Sequence, residues 1–125
     1  MATRTHNANG HRRRELRARV LAEETHCAVG GELVDKTLTF LPGAHGPRCR
    51  GGGCTGCVPH PRRAEVDEDL PRSRGGSPYD RANCHLVCRE HNRMKGTMTL
   101  AEIKAKLAGQ AAAQQARVIT KLVNW

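Results

Sequence analysis

The chain has 125 residues and a formal net charge of +9, and it contains only one Trp, one Tyr and one Phe. This length is too short for two independent hydrophobic cores, and so few aromatic side chains exclude a large core. A bound metal ion is the usual supplement in a small, loop-rich chain of this kind.

Basic residues outnumber acidic ones by 21 to 12, and they cluster around the central part of the sequence. We therefore expect an acidic polymer as the partner, because each neutralised phosphate releases counterions and strengthens binding. The N-terminus lacks the apolar stretch of a signal peptide and no segment approaches a membrane span, so we predict a cytoplasmic protein without a membrane partner. In a reducing compartment, the six cysteines are expected to bind metal rather than form disulfides.

The N-terminal region divides into two parts by composition. Residues 1–10 are rich in Thr, Asn and Gly and are predicted as a flexible tail, whereas residues 11–125 are predicted to form a single domain. Residues 11–24 are good helix formers, with Leu16 and Val20 on one stripe and arginines on the other faces. This pattern predicts an amphipathic helix whose basic side can lie along a phosphate backbone.

Residues 25–63 combine one candidate strand with a cysteine-rich insertion. The alternation of residues 32–40 predicts a strand or hairpin. The insertion, residues 43–63, is rich in Cys, Gly and Pro and too broken for regular structure. Its potential ligands have a spacing that suits a tetrahedral zinc site. They are Cys49, Cys54, Cys57 and His60.

Residues 64–96 hold the densest group of chemically capable side chains. Two short apolar-alternating runs, 65–68 and 85–87, are separated by a loop with proline and glycine, which predicts two strands and a turn. A short helix ended by glycine is predicted to follow. The motif residues, in order, are Asp67, Glu68, Pro71, Gly75, Gly76, Asn83, Cys88, His91, Asn92, Lys95 and Gly96.

The C-terminal region, residues 99–123, is predicted to be helical. Thr99 and Glu102 have the spacing of a capping box, and apolar residues follow at helical intervals. Gly109 is expected to kink this helix or divide it in two. We interpret it as a helix that packs against the central motif, with partner binding as the alternative.

The motif of residues 64–96 resembles that of the HNH endonuclease family, which runs Asp-His, a loop with Pro and Gly-Gly, a central Asn, then Cys-x-x-Cys-(His or Asn) and Lys-Gly. The resemblance covers about a third of the chain and rests on several independent positions. It implies an α+β fold: a small zinc-stabilised ββα-metal (HNH) finger with flanking N- and C-terminal helices. This chain has Glu68 at the family's first His, His91 at the second Cys and Asn92 at the terminal His.

The resemblance implies a metal-dependent endonuclease that hydrolyses DNA phosphodiester bonds, by nicking or double-strand cleavage, with Mg²⁺, Mn²⁺ or Ni²⁺ as the catalytic ion. Asp67 and Asn92 would hold that ion, and Asn83 would hold the loop between the strands. Related compact proteins are often encoded by phages, so the phage packaging machinery and a bacterial host cytoplasm are further implications.

The general base is the open question at this stage. Glu68 could accept the proton of water with a raised pKa, or join Asp67 as a metal ligand, or mark the loss of hydrolysis. His85 is a rival base, because strand alternation places it on the same face as Asn83.

The resemblance also implies a structural zinc site with Cys27, Cys88 and His91, in which position 30 is Gly where a ligand is expected. Cys57 or Cys54 could complete this site. Alternatively, the insertion binds its own zinc through the four residues given above. Cys84 is predicted to be a buried apolar residue.

Two further functions fit the sequence. One is a non-catalytic zinc-containing DNA-binding module, with Glu68 marking a lost base. The other, an RNA-binding or protein-interaction zinc domain, leaves Asp67, Asn83 and Asn92 unexplained. The predicted DNA-binding residues are Arg12, Arg13, Arg14, Arg72, Arg74, Arg93 and Lys95.

Overall fold

A computed structural model describes the backbone of residues 2–124 and the side chains of residues 9–124. The order of elements is α1 (Ala2–Glu23), β1 (Ala64–Glu68), β2 (Cys84–Cys88), α2 (Arg89–Lys95) and α3 (Leu100–Val123). Single turns of 3₁₀ helix lie at Arg72–Arg74 and Arg81–Asn83. The prediction of a small α+β protein is confirmed.

β1 and β2 form a two-stranded antiparallel sheet. Ala64 pairs with Cys88 at one end and Glu68 pairs with Cys84 at the other, so Asp67 lies opposite His85. α2 begins directly after β2, and its C-terminal cap is Gly96. The predicted strand–loop–strand–short-helix order therefore holds.

Asn83, just before β2, holds together the loop between the strands. Its side-chain amide donates to the carbonyl oxygens of Leu70 and Ser77 at 3.1 and 3.0 Å. Its Oδ1 accepts a hydrogen bond from the Leu70 backbone N–H at 2.9 Å. Because one side chain satisfies three backbone groups, the loop is fixed without apolar burial. The predicted loop-holding role of Asn83 is confirmed.

α1 anchors the N-terminal half through Leu16 and Val20, which are 5% and 0% exposed. The helix begins at Ala2, so residues 2–10 are helical rather than the flexible tail that their composition predicted. Propensity alone gave the wrong result because Gly10 weakens a helix by about 1 kcal/mol relative to alanine but does not break it. The predicted basic helix over 11–24 lies within α1 except for Glu24.

Residues 32–40 do not form the predicted strand. Within the described residues, this region has only isolated bridges, His26 with Leu33 and Phe40 with Pro59. The alternation is interrupted at Asp35, whose Oδ1 accepts hydrogen bonds from the Thr37 backbone N–H at 2.9 Å and the Thr37 hydroxyl at 2.6 Å. A side-chain turn of this type replaces the strand ladder.

α3 begins with the predicted capping box between Thr99 and Glu102. It continues through Gly109 without the expected division. Ile103 is fully buried, and Leu107 is the last partly buried residue. Every side chain from 108 to 124 is exposed, so the packing that we predicted for this helix is limited to its first turns.

One core joins these elements. β2 contributes more residues to it than any other element, and the outer edge of β2 is covered by the segment after α1, where Ala28 N–H donates to Leu86 O at 2.8 Å. Cys84 is 0% exposed, as predicted. Within residues 2–124, none of the helices combines the length and apolarity needed to cross a bilayer. The buried core residues are Leu16, Val20, Cys27, Val29, Val34, Ala64, Cys84, Leu86, Val87, Cys88 and Ile103.

Candidate metal centres and the basic groove

Four potential metal ligands meet where β2 joins α2. Cys27, Glu32, Cys88 and His91 each direct one donor atom to a common centre, and these atoms all lie within 4.8 Å of one another. His91 Nδ1 lies 3.5 Å from Cys27 Sγ and 3.2 Å from Cys88 Sγ. A tetrahedral zinc ion with bonds of about 2.0–2.3 Å requires ligand atoms about 3.3–3.8 Å apart. We call this the core site, and it is a candidate zinc site.

Glu32 is the fourth member of the core site, in place of Cys57 or Cys54. Its Oε1 lies 3.2 Å from Cys88 Sγ and 2.8 Å from His91 Nδ1, so the contact with His91 would lengthen when both side chains bind one ion. Glu32 was not predicted as a zinc ligand, because only Cys and His side chains were considered for that role. The sequence signal that could have identified Glu32 is its position two residues after Gly30, where a ligand is missing.

Gly30 makes room for the ligands instead of supplying one. A Cβ atom at this position would lie 2.1 Å from Glu32 Oε2 and 2.3 Å from His91 Cε1. The backbone N–H of Gly30 also donates to Cys27 Sγ at 3.5 Å. The glycine therefore allows both the carboxylate and the imidazole to reach the centre.

We expect Gly30→Ala to weaken zinc binding at the core site at least tenfold and to lower the free energy of unfolding by about 2 kcal/mol, because an added methyl group displaces two ligands. Chelator competition and urea denaturation at fixed zinc concentration measure these effects. Gly109→Ala is the matched control: nothing lies within 4 Å of its Cβ position. That variant should be slightly stabilised, and equal behaviour of the two variants would contradict the prediction.

In the absence of an ion, burial disfavours the charged forms of Cys88 and Glu32 in the core site. It raises the pKa of the Cys88 thiol to about 12. Burial also opposes the ionisation of Glu32, but hydrogen bonds from its own backbone N–H and from Cys88 outweigh it and lower the pKa of that carboxyl. A divalent cation supplies the positive charge that favours the thiolate form of such a cysteine.

A second group of ligands lies in the insertion and consists of His45, Cys49, Cys54 and Cys57, again with donor atoms within 4.8 Å. We call it the loop site. The Gly51 backbone N–H, followed by Cys57, lowers the pKa of the Cys49 thiol. This arrangement is also a candidate zinc site, and it corrects the predicted ligand set.

His60, the predicted fourth ligand, is not in this group. Its Nδ1 accepts a hydrogen bond from the Arg62 backbone N–H at 3.0 Å. The backbone N–H of His60 donates to Thr39 O at 3.0 Å. The two arms of the insertion pair irregularly, with Cys57 N–H donating to Ala44 O at 2.9 Å. This pairing brings His45 beside Cys57 and holds His60 further along the arm.

The predicted catalytic and metal-binding residues lie on neighbouring elements: Asp67 and Glu68 on β1, His85 on β2 and Asn92 on α2. Asp67 faces α2, where its Oδ2 lies 2.8 Å from the Lys95 Nζ, and Lys95 is 2% exposed. Asn92 also faces β1, but its Nδ2 donates to Glu65 Oε1 at 2.9 Å. Asp67 and Asn92 thus share the β1–α2 interface and each has a different polar partner.

His85 and Glu68 have different surroundings. His85 Nδ1 lies 2.7 Å from Asp69 Oδ1, and His85 is the strand partner of Asp67. Directly paired residues in an antiparallel sheet have Cβ atoms about 4.5–5.5 Å apart on one face. Burial, followed by a hydrogen bond with Asp67, raises the pKa of Glu68 above its usual range, and the charge of Arg13 opposes this shift. His85 is half-buried, whereas Cys84 and Leu86 on either side of it in β2 are buried. Asn83 lies in the 3₁₀ turn before β2, so strand alternation does not relate it to His85.

A basic groove of about 720 Å³ runs beside β1, between α1 and α2. Glu65, Val66, Asn92 and Gly96 line its floor together with arginines on both walls. The arginines are Arg13, Arg14, Arg17, Arg63, Arg89 and Arg93.

The predicted DNA-binding residues fall into two groups. Arg14 and Arg93 line the groove. Arg13 also lines it, but its guanidinium donates to Pro78 O at 2.8 Å and Val66 O at 3.1 Å, so it has a structural role. The other predicted residues do not line the groove, and most of them contact another side chain of the protein. Arg12 stacks on Tyr79, Arg74 pairs with Glu102, Arg72 lies in the exposed 3₁₀ turn, and Lys95 is buried against Asp67.

Comparisons of this chain with protein-family models, with curated proteins and with solved structures give no match. The function is therefore inferred from the geometry of these sites.

Proposed function

We propose that this protein is a metal-dependent endonuclease that hydrolyses phosphodiester bonds of DNA. The observation that carries the proposal is the His85–Asp69 pair, 2.7 Å apart, on the strand position opposite Asp67. A carboxylate that orients an imidazole beside a second, cation-binding carboxylate is an arrangement suited to activating water.

The basic groove supports DNA as the substrate. Six arginines surround it, and only Glu65 among its lining residues carries a negative charge. Arg89 is paired with that carboxylate at 3.1 Å. The other guanidinium groups leave an excess of positive charge for phosphate oxygens, which arginine binds in a bidentate manner.

His85 is the proposed general base. When Nδ1 is protonated, its N–H donates a hydrogen bond to Asp69. The lone pair of Nε2 can then accept a proton from water. Glu68 is the second candidate, and its neighbours are Asp67, with which it shares a hydrogen bond, and Arg13. His85 is preferred because the Asp69 carboxylate orients its imidazole. In this proposal, His85 takes over the role that the HNH resemblance gives to position 68.

Asp67 and Asn92 are the proposed ligands of the catalytic cation. Carboxylate and amide oxygens are the donors that Mg²⁺ and Mn²⁺ prefer, and Asn92 uses its nitrogen to bond Glu65, which leaves its oxygen as the donor atom. The Lys95 Nζ contacts Asp67 Oδ2, so a catalytic cation would be held beside this ammonium or in its place. When bound, the metal ion would polarise the phosphate and stabilise the leaving oxygen.

Plasmid cleavage tests the proposal. Supercoiled DNA is incubated with the protein and Mg²⁺, Mn²⁺ or Ni²⁺, and relaxed and linear products are measured. We expect His85→Gln and Asn92→Ala to reduce cleavage at least 100-fold, because each removes one element of water or cation activation. Glu68→Gln should retain most activity.

His26→Ala is the matched control, because His26 is exposed and its ring has one hydrogen bond among the described residues, with the Thr25 hydroxyl at 2.8 Å. Its cleavage rate should equal that of the wild-type protein. Absence of metal-dependent product above the Asn92→Ala background would overturn the enzyme proposal. Loss of activity in Glu68→Gln with full activity in His85→Gln would assign the base to Glu68 instead.

A non-catalytic zinc-containing DNA-binding module is the second candidate function. The observation that favours it is the buried Lys95–Asp67 ion pair, since a permanent ammonium at this carboxylate competes with a catalytic cation. This candidate predicts plasmid binding through the groove without cleavage by any of the three metals.

A further inference from the structure

The insertion cannot be held in place by its own apolar side chains. In residues 35–63, which lie between Val34 and Ala64, no side chain is buried. Conformational entropy opposes the ordering of such a segment at a cost of about 1–2 kcal/mol per residue. A different source of stability is therefore required for an ordered insertion.

The backbone of the insertion is shaped around its ligands. Gly43 N–H donates to Thr55 O at 2.7 Å, and Leu41 N–H donates to Val58 O at 2.8 Å. At Gly56, where φ is 151°, an added Cβ atom would lie 2.2 Å from Leu41 O. Only glycine permits the close approach of the two arms that brings Cys57 to the centre.

Backbone N–H groups are also directed at two of the sulfur atoms. Gly46 N–H donates to Cys57 Sγ at 3.4 Å, and Gly51 N–H donates to Cys49 Sγ at 3.5 Å. Such hydrogen bonds stabilise charged sulfur ligands and orient them towards a metal ion.

We propose that the loop site is a second zinc site, separate from the core site, with His45, Cys49, Cys54 and Cys57 as its four ligands. The distance of 3.3 Å between His45 Nδ1 and Cys49 Sγ fits two ligands of one tetrahedral ion. Three thiolates and an imidazole are soft donors that select zinc over Mg²⁺ or Ca²⁺. All six cysteines are free, so disulfides do not compete for these thiols.

The zinc loop supports one wall of the basic groove. The bridge between Phe40 and Pro59 closes the insertion, and the Arg63 guanidinium lies 5.2 Å from the centre of the Phe40 ring. Arg63 O accepts a hydrogen bond from Arg89 N–H at 2.9 Å, which joins this wall to α2. In this proposal, zinc at the loop site fixes the position of Arg63. Any effect of zinc loss on the affinity for DNA rests on the function proposed above.

Zinc stoichiometry tests the second site directly. Native mass spectrometry of the full chain should show two zinc ions for the wild-type protein and one for His45→Ala or Cys54→Ser. His60→Ala is the matched control and should retain two ions. Cobalt substitution should give sulfur-to-metal absorption from the three thiolates of the loop site in addition to that from Cys27 and Cys88 of the core site, and its intensity should fall in Cys54→Ser to the level of the core site alone.

A folded wild-type protein with a single zinc ion would overturn the proposal, and so would loss of an ion from His60→Ala but not from His45→Ala.

Amide hydrogen exchange provides a second measurement that does not depend on nuclease activity. Residues 39–60 should exchange at least tenfold faster in Cys54→Ser than in the wild-type protein, while β1 and β2 keep their protection. Equal protection of the insertion in both proteins would contradict a metal-held loop.

Discussion

Cys88→Ser is expected to release zinc from the core site and to unfold the protein at room temperature. Cys88 is 4% exposed and occupies the last position of β2, where its sulfur lies 3.2 Å from both Glu32 Oε1 and His91 Nδ1. Zinc contributes about 10–16 kcal/mol to the folding of zinc-finger peptides. Total stabilities of small proteins are only about 5–15 kcal/mol, so loss of the ion exceeds what this small core can offset.

Circular dichroism and zinc analysis of the purified variant measure this effect. Cys84→Ala is the matched control, because Cys84 is also a buried cysteine of β2 but belongs to neither group of ligands. It should keep its zinc and lose about 1 kcal/mol of stability. A folded Cys88→Ser protein with full zinc content would contradict the proposed ligand set, and so would zinc loss from Cys84→Ala.

Lys95→Met is expected to lower the free energy of unfolding by about 3 kcal/mol, because it leaves the Asp67 carboxylate without its buried cation. The Lys95 Nζ lies 2.8 Å from Asp67 Oδ2, and the two side chains are 2% and 21% exposed. The partial exposure of Asp67 keeps the effect at the lower end of the range for buried ion pairs. Urea denaturation with linear extrapolation is the appropriate measurement.

Two variants separate the ion pair from a general effect of removing a lysine. Asp67→Asn combined with Lys95→Met should recover most of the lost stability, since neither charge is then left unpaired. Lys104→Met removes an exposed lysine and should change stability by less than about 0.5 kcal/mol. If Lys95→Met is as stable as Lys104→Met, the pair contributes nothing to folding.

Local sequence signals predicted the hairpin, the short helix and the cap of α3. Each depends on residues that are close in the chain: alternation in β1 and β2, the glycine after α2, and the Thr99–Glu102 pair. The loop-holding role of Asn83 followed from the HNH resemblance, and the structure confirms it.

The ligand sets could not be read from spacing in the same way. His45 and His60 are both near the three cysteines in sequence, and only the irregular pairing of the two arms determines which one reaches them. Glu32 enters the core site because Gly30 leaves space for it, which is a property of three-dimensional packing. The buried Lys95–Asp67 pair was missed because charged residues were assigned to the surface.

The exposed C-terminal two thirds of α3 affect how the protein melts. Its last 16 residues, 108–123, extend about 24 Å beyond the final partly buried side chain at the usual rise per residue. Because the side chains of this segment are exposed, we expect it to follow a helix–coil equilibrium of its own, governed by alanine content and length. Part of the far-ultraviolet helical signal is therefore expected to decline gradually with temperature, below the cooperative unfolding transition of the core.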